Sequence, residues 1–212
     1  MYLQEFLIIA AIHFLAVASP GPDFAVILKQ SVRYGRRSAL FTSLGIGTGI
    51  LLHVTYSLIG VGILIASSEQ LFTLLKFIAA GYFCYLAWFG LRAKAPNSEE
   101  EIDLTVKADD HPSDKRSFIT GFLVNGLNVK ATLFFVSLFS MVIAASTPLA
   151  IKVGYGLYMA IATAVWFSSL SYLLSITKFR QVLVKKGYYL ERFMGVILLA
   201  LAIQLVLSSL PA

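Results

Sequence analysis

The sequence predicts an all-α membrane protein of six transmembrane helices with little folded outside the bilayer. Three observations carry this. Of 212 residues, 58% are hydrophobic and 13% charged, against about 25% charged in soluble domains, so the chain lacks polar cover for a water-facing surface; mean hydropathy is +0.81. Apolar stretches of about the 20 residues that a helix needs to cross a ~30 Å hydrocarbon core recur along the chain. The basic residues are concentrated in alternate loops.

The apolar stretches cover 6–28, 40–66, 71–91, 118–145, 149–176 and 189–210. The first is longer than the apolar part of a signal peptide and no Lys or Arg precedes it, so it is expected to remain a span rather than be cleaved. The second contains Gly45, Gly47, Gly49, Gly60 and Gly62. Gly45 and Gly49 form a small-xxx-small pair that lets a second helix approach closely, within the bundle or in a homodimer. His53 lies one turn beyond and is expected to hydrogen-bond within the bundle. The third carries Tyr82, Tyr85, Trp88 and Phe89 as packing or interfacial aromatics. The fifth is diluted by Ser168, Ser169 and Ser171.

Orientation follows from the loops. The first holds Lys29, Arg33, Arg36 and Arg37; the third Arg92, Lys94, Lys107, Lys115 and Arg116; the fifth Lys178, Arg180, Lys185, Lys186 and Arg192. These are 14 of the 17 Lys and Arg. All three loops follow odd-numbered spans and so share one side, the cytoplasmic side by the positive-inside rule. Both termini are then expected in the periplasm, outside the inner membrane. The net charge of +6 is explained by this bias, with no role for nucleic acid. The stretch 93–117 carries Glu99, Glu100, Glu101, Asp103, Asp109, Asp110 and Asp114 with Pro96 and Pro112. It reads as a flexible cytoplasmic linker between two three-helix halves, 1–92 and 118–212. Cys84 is the only cysteine, which excludes a disulfide or a thiolate metal site within one chain.

A charge inside a span is costly and usually functional. Asp23 lies in Ser19-Pro20-Gly21-Pro22-Asp23 and Lys130 in Asn125-Gly126-Leu127-Asn128-Val129-Lys130. Two prolines around a glycine interrupt a helix. The span is expected to break over Pro20, Gly21 and Pro22, and to restart with Asp23 in a first turn, where free N–H groups favour an anion. Irregular backbone at that depth must be buried in protein or line a wet cavity, as in the broken helices of transporters. The other reading is a kink with Asp23 solvated beside Lys29. Asn125 and Asn128, three apart, are expected on one helical face, as ligands of an amino acid's charged groups or as interhelical hydrogen bonds. Lys130 lies about 18 Å along a helix from the basic end of its span, which favours a cation in the site over snorkelling. Each polar motif opens a three-helix half, and an odd number of helices inverts the second half, as in inverted-repeat transporters. His13, His53 and Asp23 show no metal-ligand spacing on one helix, so no metal is expected. Nor is there a nucleophile with its base or a metal-binding His pair for an intramembrane enzyme.

These residues resemble the lysine-exporter (LysE/RhtB) family of amino-acid efflux permeases, in its homoserine/threonine-resistance branch. Ser19-Pro20-Gly21-Pro22-Asp23 is the most specific match. Gly35-Arg36-Arg37-Ser38-Ala39, the Gly45 and Gly49 cluster with His53, Lys76 with Gly81-Tyr82, and 118–135 follow in family order. The family has Asn-Pro-Lys in the fourth span; Asn128-Val129-Lys130 keeps the polar residues without the proline, which leaves a second break open, although Gly126 can still loosen that turn. The resemblance implies export of an amino acid from the bacterial cytoplasm, driven by the proton gradient without a further cofactor. Asp23 is then the expected proton carrier, with Asn125, Asn128, Lys130, Ser19 and Gly21 around the substrate. Export of a divalent metal is the alternative within the same superfamily.

Overall fold

A computed structural model describes the chain apart from residues 1, 20, 68, 95–110, 142, 144–145, 175 and 210–212. The described residues form helices α1 (Tyr2–Ala18), α2 (Pro22–Arg33), α3 (Gly35–Ser67), α4 (Glu69–Leu91), α5 (Asp114–Gly126), α6 (Val129–Met141), α7 (Leu149–Leu174) and α8 (Thr177–Ser209), with no strand among them. α3 (over Gly35–Gly60) and α7 are each long and apolar enough to cross a membrane. Two bent pairs also pass as spans: α1 with α2, at 54°, and α5 with α6, at 57°. That makes four. The sequence-based count of six rests in addition on α4 and α8, helices of 23 and 33 residues. The serines that dilute the fifth stretch do not interrupt α7. Ser171 turns inward to the Ser43 hydroxyl at 3.1 Å and donates to the Phe167 carbonyl at 2.7 Å.

Helix ends differ from the apolar stretches because a helix need not stop where hydrophobicity does. α2 runs through Lys29 to Arg33, and one residue, Tyr34, separates it from α3. The turn there places Gly35 at φ +83°, a left-handed conformation that glycine adopts without steric cost. The first basic loop is therefore mostly helix. α8 likewise begins at Thr177, before the whole of the fifth basic cluster. Of the linker expected over 93–117, residues 95–110 lie outside the described residues, and 114–117 are the first turn of α5. Ser113 caps that turn by accepting from the Arg116 N–H at 3.3 Å, and Asp114 accepts from Arg37 Nε at 2.9 Å and Nη2 at 2.7 Å.

Small residues set the packing. A Cβ on Gly45 would lie 2.0 Å from the Phe118 carbonyl oxygen, and one on Gly121 would lie 2.0 Å from that of Thr42. The α3 and α5 backbones therefore touch through a glycine on each side. Gly49 is filled by Asn125, whose Oδ1 would be 2.6 Å from an added Cβ. Gly45 and Gly49 are thus covered by α5 within the bundle. Gly47 meets Ala160 and Ala164 of α7, and Gly90 and Gly195 join α4 to α8. Hydroxyls reinforce these seams: Ser38 donates to Gln30 at 2.6 Å and lies 2.8 Å from the Ser117 hydroxyl, while Thr42 donates to the Ser117 carbonyl at 3.1 Å. Ile9, Ile50, Phe83, Phe135 and Met159 form the buried core. Outward, Leu3, Ile59, Phe89, Ile161, Val196 and Leu207 are exposed, an apolar exterior suited to lipid.

Candidate functional site at the two helix breaks

The first break ends α1 at Ala18 and starts α2 at Pro22, whose missing N–H costs nothing at the first helical position. Pro20 lies outside the described residues. Gly21 caps α2 with extended backbone, φ −178° and ψ −166°, open to any residue. A Cβ there would meet Lys130 Nζ at 3.5 Å, an ordinary contact, so neither space nor backbone conformation demands the glycine. Asp23 sits in the first turn of α2, where the helix dipole favours its charge.

The second break needs no proline. α5 ends at Gly126, and the Asn128 side chain caps α6. Its Oδ1 accepts from the N–H of Lys130 at 3.0 Å and of Ala131 at 3.4 Å. An Asn at this position serves as an N-cap, which explains why Val129 in place of proline leaves the break intact. The expectation that Asn125 and Asn128 share one helical face is corrected here: the chain changes direction between them.

They converge nonetheless. Asn125 Nδ2 donates to Asp23 Oδ2 at 2.9 Å and Asn128 Nδ2 donates to the same oxygen at 3.3 Å. Asp23 Oδ1 and Asn125 Oδ1 are buried without a hydrogen-bond partner among the described residues. Across the break, Lys130 Nζ donates to Ser19 Oγ at 3.0 Å. Each broken helix thus anchors the other: α2 receives amides from the second break, and the end of α1 receives the ammonium of α6. Asp23, Asn125, Asn128, Lys130, Ser19 and Gly21 all line one cavity. Solvated Asp23 beside Lys29 does not describe this geometry.

The structure also gives partners to two histidines named in the sequence and to one further carboxylate. His53, wholly buried, donates from Nε2 to the Asn125 carbonyl at 2.9 Å, and its Nδ1 faces the Tyr56 hydroxyl. That carbonyl also accepts from the Asn128 N–H at 2.8 Å, so His53 braces the turn at the second break. His13 reaches the same cavity and pairs through Nε2 with the Thr163 hydroxyl at 3.1 Å. Toward the start of α1, buried Glu5 accepts from Thr147 at 3.1 Å and from Tyr155 at 3.1 Å. Glu5 was readable as a charge inside an apolar helix; Thr163 carried no signal in the sequence. Phe134, Phe135, Phe167 and Leu86 wall the cavity. Its volume is about 50 Å³, room for a few waters at about 10–15 Å³ each.

Substitution at Asn128 separates its two tasks. Asn128→Ala is expected to remove the α6 cap, worth about 1 kcal/mol, and one amide on Asp23, lowering both thermal stability and transport. Asn128→Ser restores a cap but is too short to replace the amide. Unfolding temperature should recover in it while transport rates in proteoliposomes should not.

Two interrupted helices meeting at a buried polar centre, in a chain with an apolar exterior, are the features of a membrane translocator. A family model described as LysE type translocator matches residues 14–209, and the chain belongs to that family, a multi-pass membrane transporter. It is 26% identical over 206 residues to the threonine efflux protein of Escherichia coli (strain K12), covering 97% of this chain and 99% of that one. To the threonine efflux protein of Salmonella typhi it is 27% identical over 211 residues, with 97% and 99% covered. An uncharacterized membrane protein of Bacillus subtilis (strain 168), YrhP, is 26% identical over 198 residues, with 92% and 94% covered. No solved structure matches.

Proposed function

We propose that the chain exports a small neutral amino acid, threonine or a close relative, across the bacterial inner membrane in exchange for protons. The observation that carries this reading is the shared Asp23 oxygen. One carboxylate holds both amides of the second break, so its charge state bears directly on how the two broken helices grip each other. Its other oxygen, buried and unpartnered among the described residues, is the atom that takes the proton. Lys130 binds the substrate carboxylate, and the Asn125 and Asn128 amides, held less tightly when Asp23 is neutral, turn to its polar groups. The relatives named threonine efflux proteins support the substrate class.

The arrangement is that of two inverted three-helix repeats making six spans. In support, the packing exchanges the halves: α5 packs on α3, while α1 and α2 pack on α7. Both termini are periplasmic, and the ends bearing Arg92 and Arg192 face the cytoplasm. A homodimer would use a face other than that of Gly45 and Gly49.

Counterflow in proteoliposomes tests the function. Vesicles preloaded with unlabelled L-threonine should accumulate labelled L-threonine, and an imposed pH gradient should drive net movement. Counterflow of manganese or magnesium without any amino acid would overturn the reading in favour of metal export.

A further inference from the structure

A second cavity adjoins the first. It is bounded by Ser19, Leu86, Phe89, Lys130, Glu191 and Leu198, together with the close-packed Gly90 and Gly195. Ser19, Leu86, Lys130 and Leu198 also line the central cavity, so the two share a wall. The outer cavity holds about 270 Å³ against about 50 Å³ for the inner. At about 10–15 Å³ per water the inner one admits a few waters, whereas the outer one has room for a whole amino acid.

The charges of the outer cavity are opposed. Lys130, on α6, stands in the shared wall, and Glu191, on α8, stands in the outer cavity alone. The Lys130 ammonium interacts electrostatically with both Asp23 and Glu191. The rest of the wall is apolar apart from Ser19, so the charges are little diluted by competing polar groups. The cavity lies toward the basic end of the bundle: Arg192, next to Glu191, donates to the Ala93 carbonyl at 2.9 Å, and the Arg92 guanidinium stacks 3.6 Å above the Trp88 ring. An α-amino acid carries a carboxylate and an ammonium on one carbon, and this cavity presents one cation and one anion to a solute of that size.

We propose that the outer cavity is a loading seat for a zwitterionic amino acid, in which Glu191 receives the ammonium group and Lys130 the carboxylate before the substrate passes to the Asp23 centre. The proposal rests on the amino-acid efflux reading above and adds a second site to it. Lys130 is the hinge of the transfer, because the cation that holds the carboxylate in the seat already lines the central cavity. The substrate then moves by exchanging its ammonium partner, from Glu191 to the polar groups around Asp23, while its carboxylate stays on one residue.

The test is efflux from proteoliposomes loaded with L-threonine on the side of the basic loops, over a range of internal concentrations. Glu191→Gln keeps size and hydrogen bonding and removes the charge. The concentration for half-maximal efflux is expected to rise about tenfold with little change in the maximal rate, since the central site is intact. Glu191→Asp should recover most of the affinity, which a purely structural role in α8 packing would not produce. In equilibrium binding to detergent-solubilised protein, N-acetyl-L-threonine, which keeps the carboxylate and lacks the ammonium, should bind Glu191→Gln and the native chain alike. If the native chain moves threonine and Glu191→Gln shows the native concentration dependence, the seat is overturned and the efflux reading stands. If the native chain moves no amino acid, the efflux reading falls and the seat with it.

Discussion

Gly45→Ala is expected to lower the unfolding temperature of the detergent-solubilised protein by about 6–12 °C, and Gly121→Ala to do the same. One methyl is enough. The added carbon would sit 2.0 Å from a backbone carbonyl oxygen of the opposite helix in either case, where no side-chain rotation can relieve it. The helices must move apart, and the Thr42 to Ser117 and Ser38 to Ser117 hydrogen bonds, at 3.1 and 2.8 Å, are stretched with them. Overpacking costs about 1–3 kcal/mol where neighbours can adjust, so about 3 kcal/mol is a reasonable figure where they are main chain. In a chain of this size each kcal/mol is worth about 2–4 °C. The damage also reaches the site, because the same seam carries Asn125 and its carbonyl bond to His53. Gly60→Ala and Gly154→Ala are the controls. A Cβ at either position has no atom within 4 Å, and both variants should unfold at the native temperature. Equal stability of all four would mean that α3 and α5 are not in backbone contact.

Composition alone identified a membrane protein, because 13% charged residues cannot clothe a soluble fold. The first break was legible for a local reason: proline acts on its own helix, so its effect needs no knowledge of the partner. The second was not. It depends on a capping bond from Asn128 to the N–H groups of Lys130 and Ala131, and an Asn inside an apolar run reads equally as an interhelical contact. Treating Asn125 and Asn128 as one helical face followed from assuming a continuous helix, and the turn between them removes that periodicity while bringing both amides to Asp23. The remaining partners lie far off in the chain. His13 meets Thr163 and Glu5 meets Tyr155, each across 150 positions. That constant offset marks α1 and α7 as parallel neighbours. No pattern in one sequence reveals such an offset, since a span that is apolar all round gives no sign of which side faces the bundle.

Asp23→Asn is expected to abolish transport driven by a pH gradient while leaving threonine exchange at equal pH on both sides. The geometry explains why the fold should survive. Only Asp23 Oδ2 is engaged, accepting from Asn125 at 2.9 Å and Asn128 at 3.3 Å, and an asparagine carbonyl can take both bonds. Its amide nitrogen then occupies the position of Oδ1, which is buried and has no hydrogen-bond partner among the described residues. The variant therefore copies the neutral acid in shape and cannot titrate. Asp23→Ala behaves differently. It leaves two buried amide groups without their acceptor, at about 1–3 kcal/mol each, and should lose stability as well as transport. The neutral acid and the carboxylate grip the second break unequally, because a hydrogen bond to an ionised acceptor is roughly twice as strong as one to a neutral group. In the proposed exchange, protonation from the periplasmic side would weaken the hold of Asp23 on Asn125 and Asn128, and loss of the proton to the cytoplasm would restore it. On that reading, fixing the residue in its neutral shape would leave the substrate site able to exchange but sever the link to the gradient. The measurement is labelled threonine movement in proteoliposomes, once with an imposed pH difference and once without. Gradient-driven efflux at the native rate in Asp23→Asn would show that the coupling proton is carried elsewhere, and buried Glu5, held by Thr147 and Tyr155, would be the next carboxylate to test.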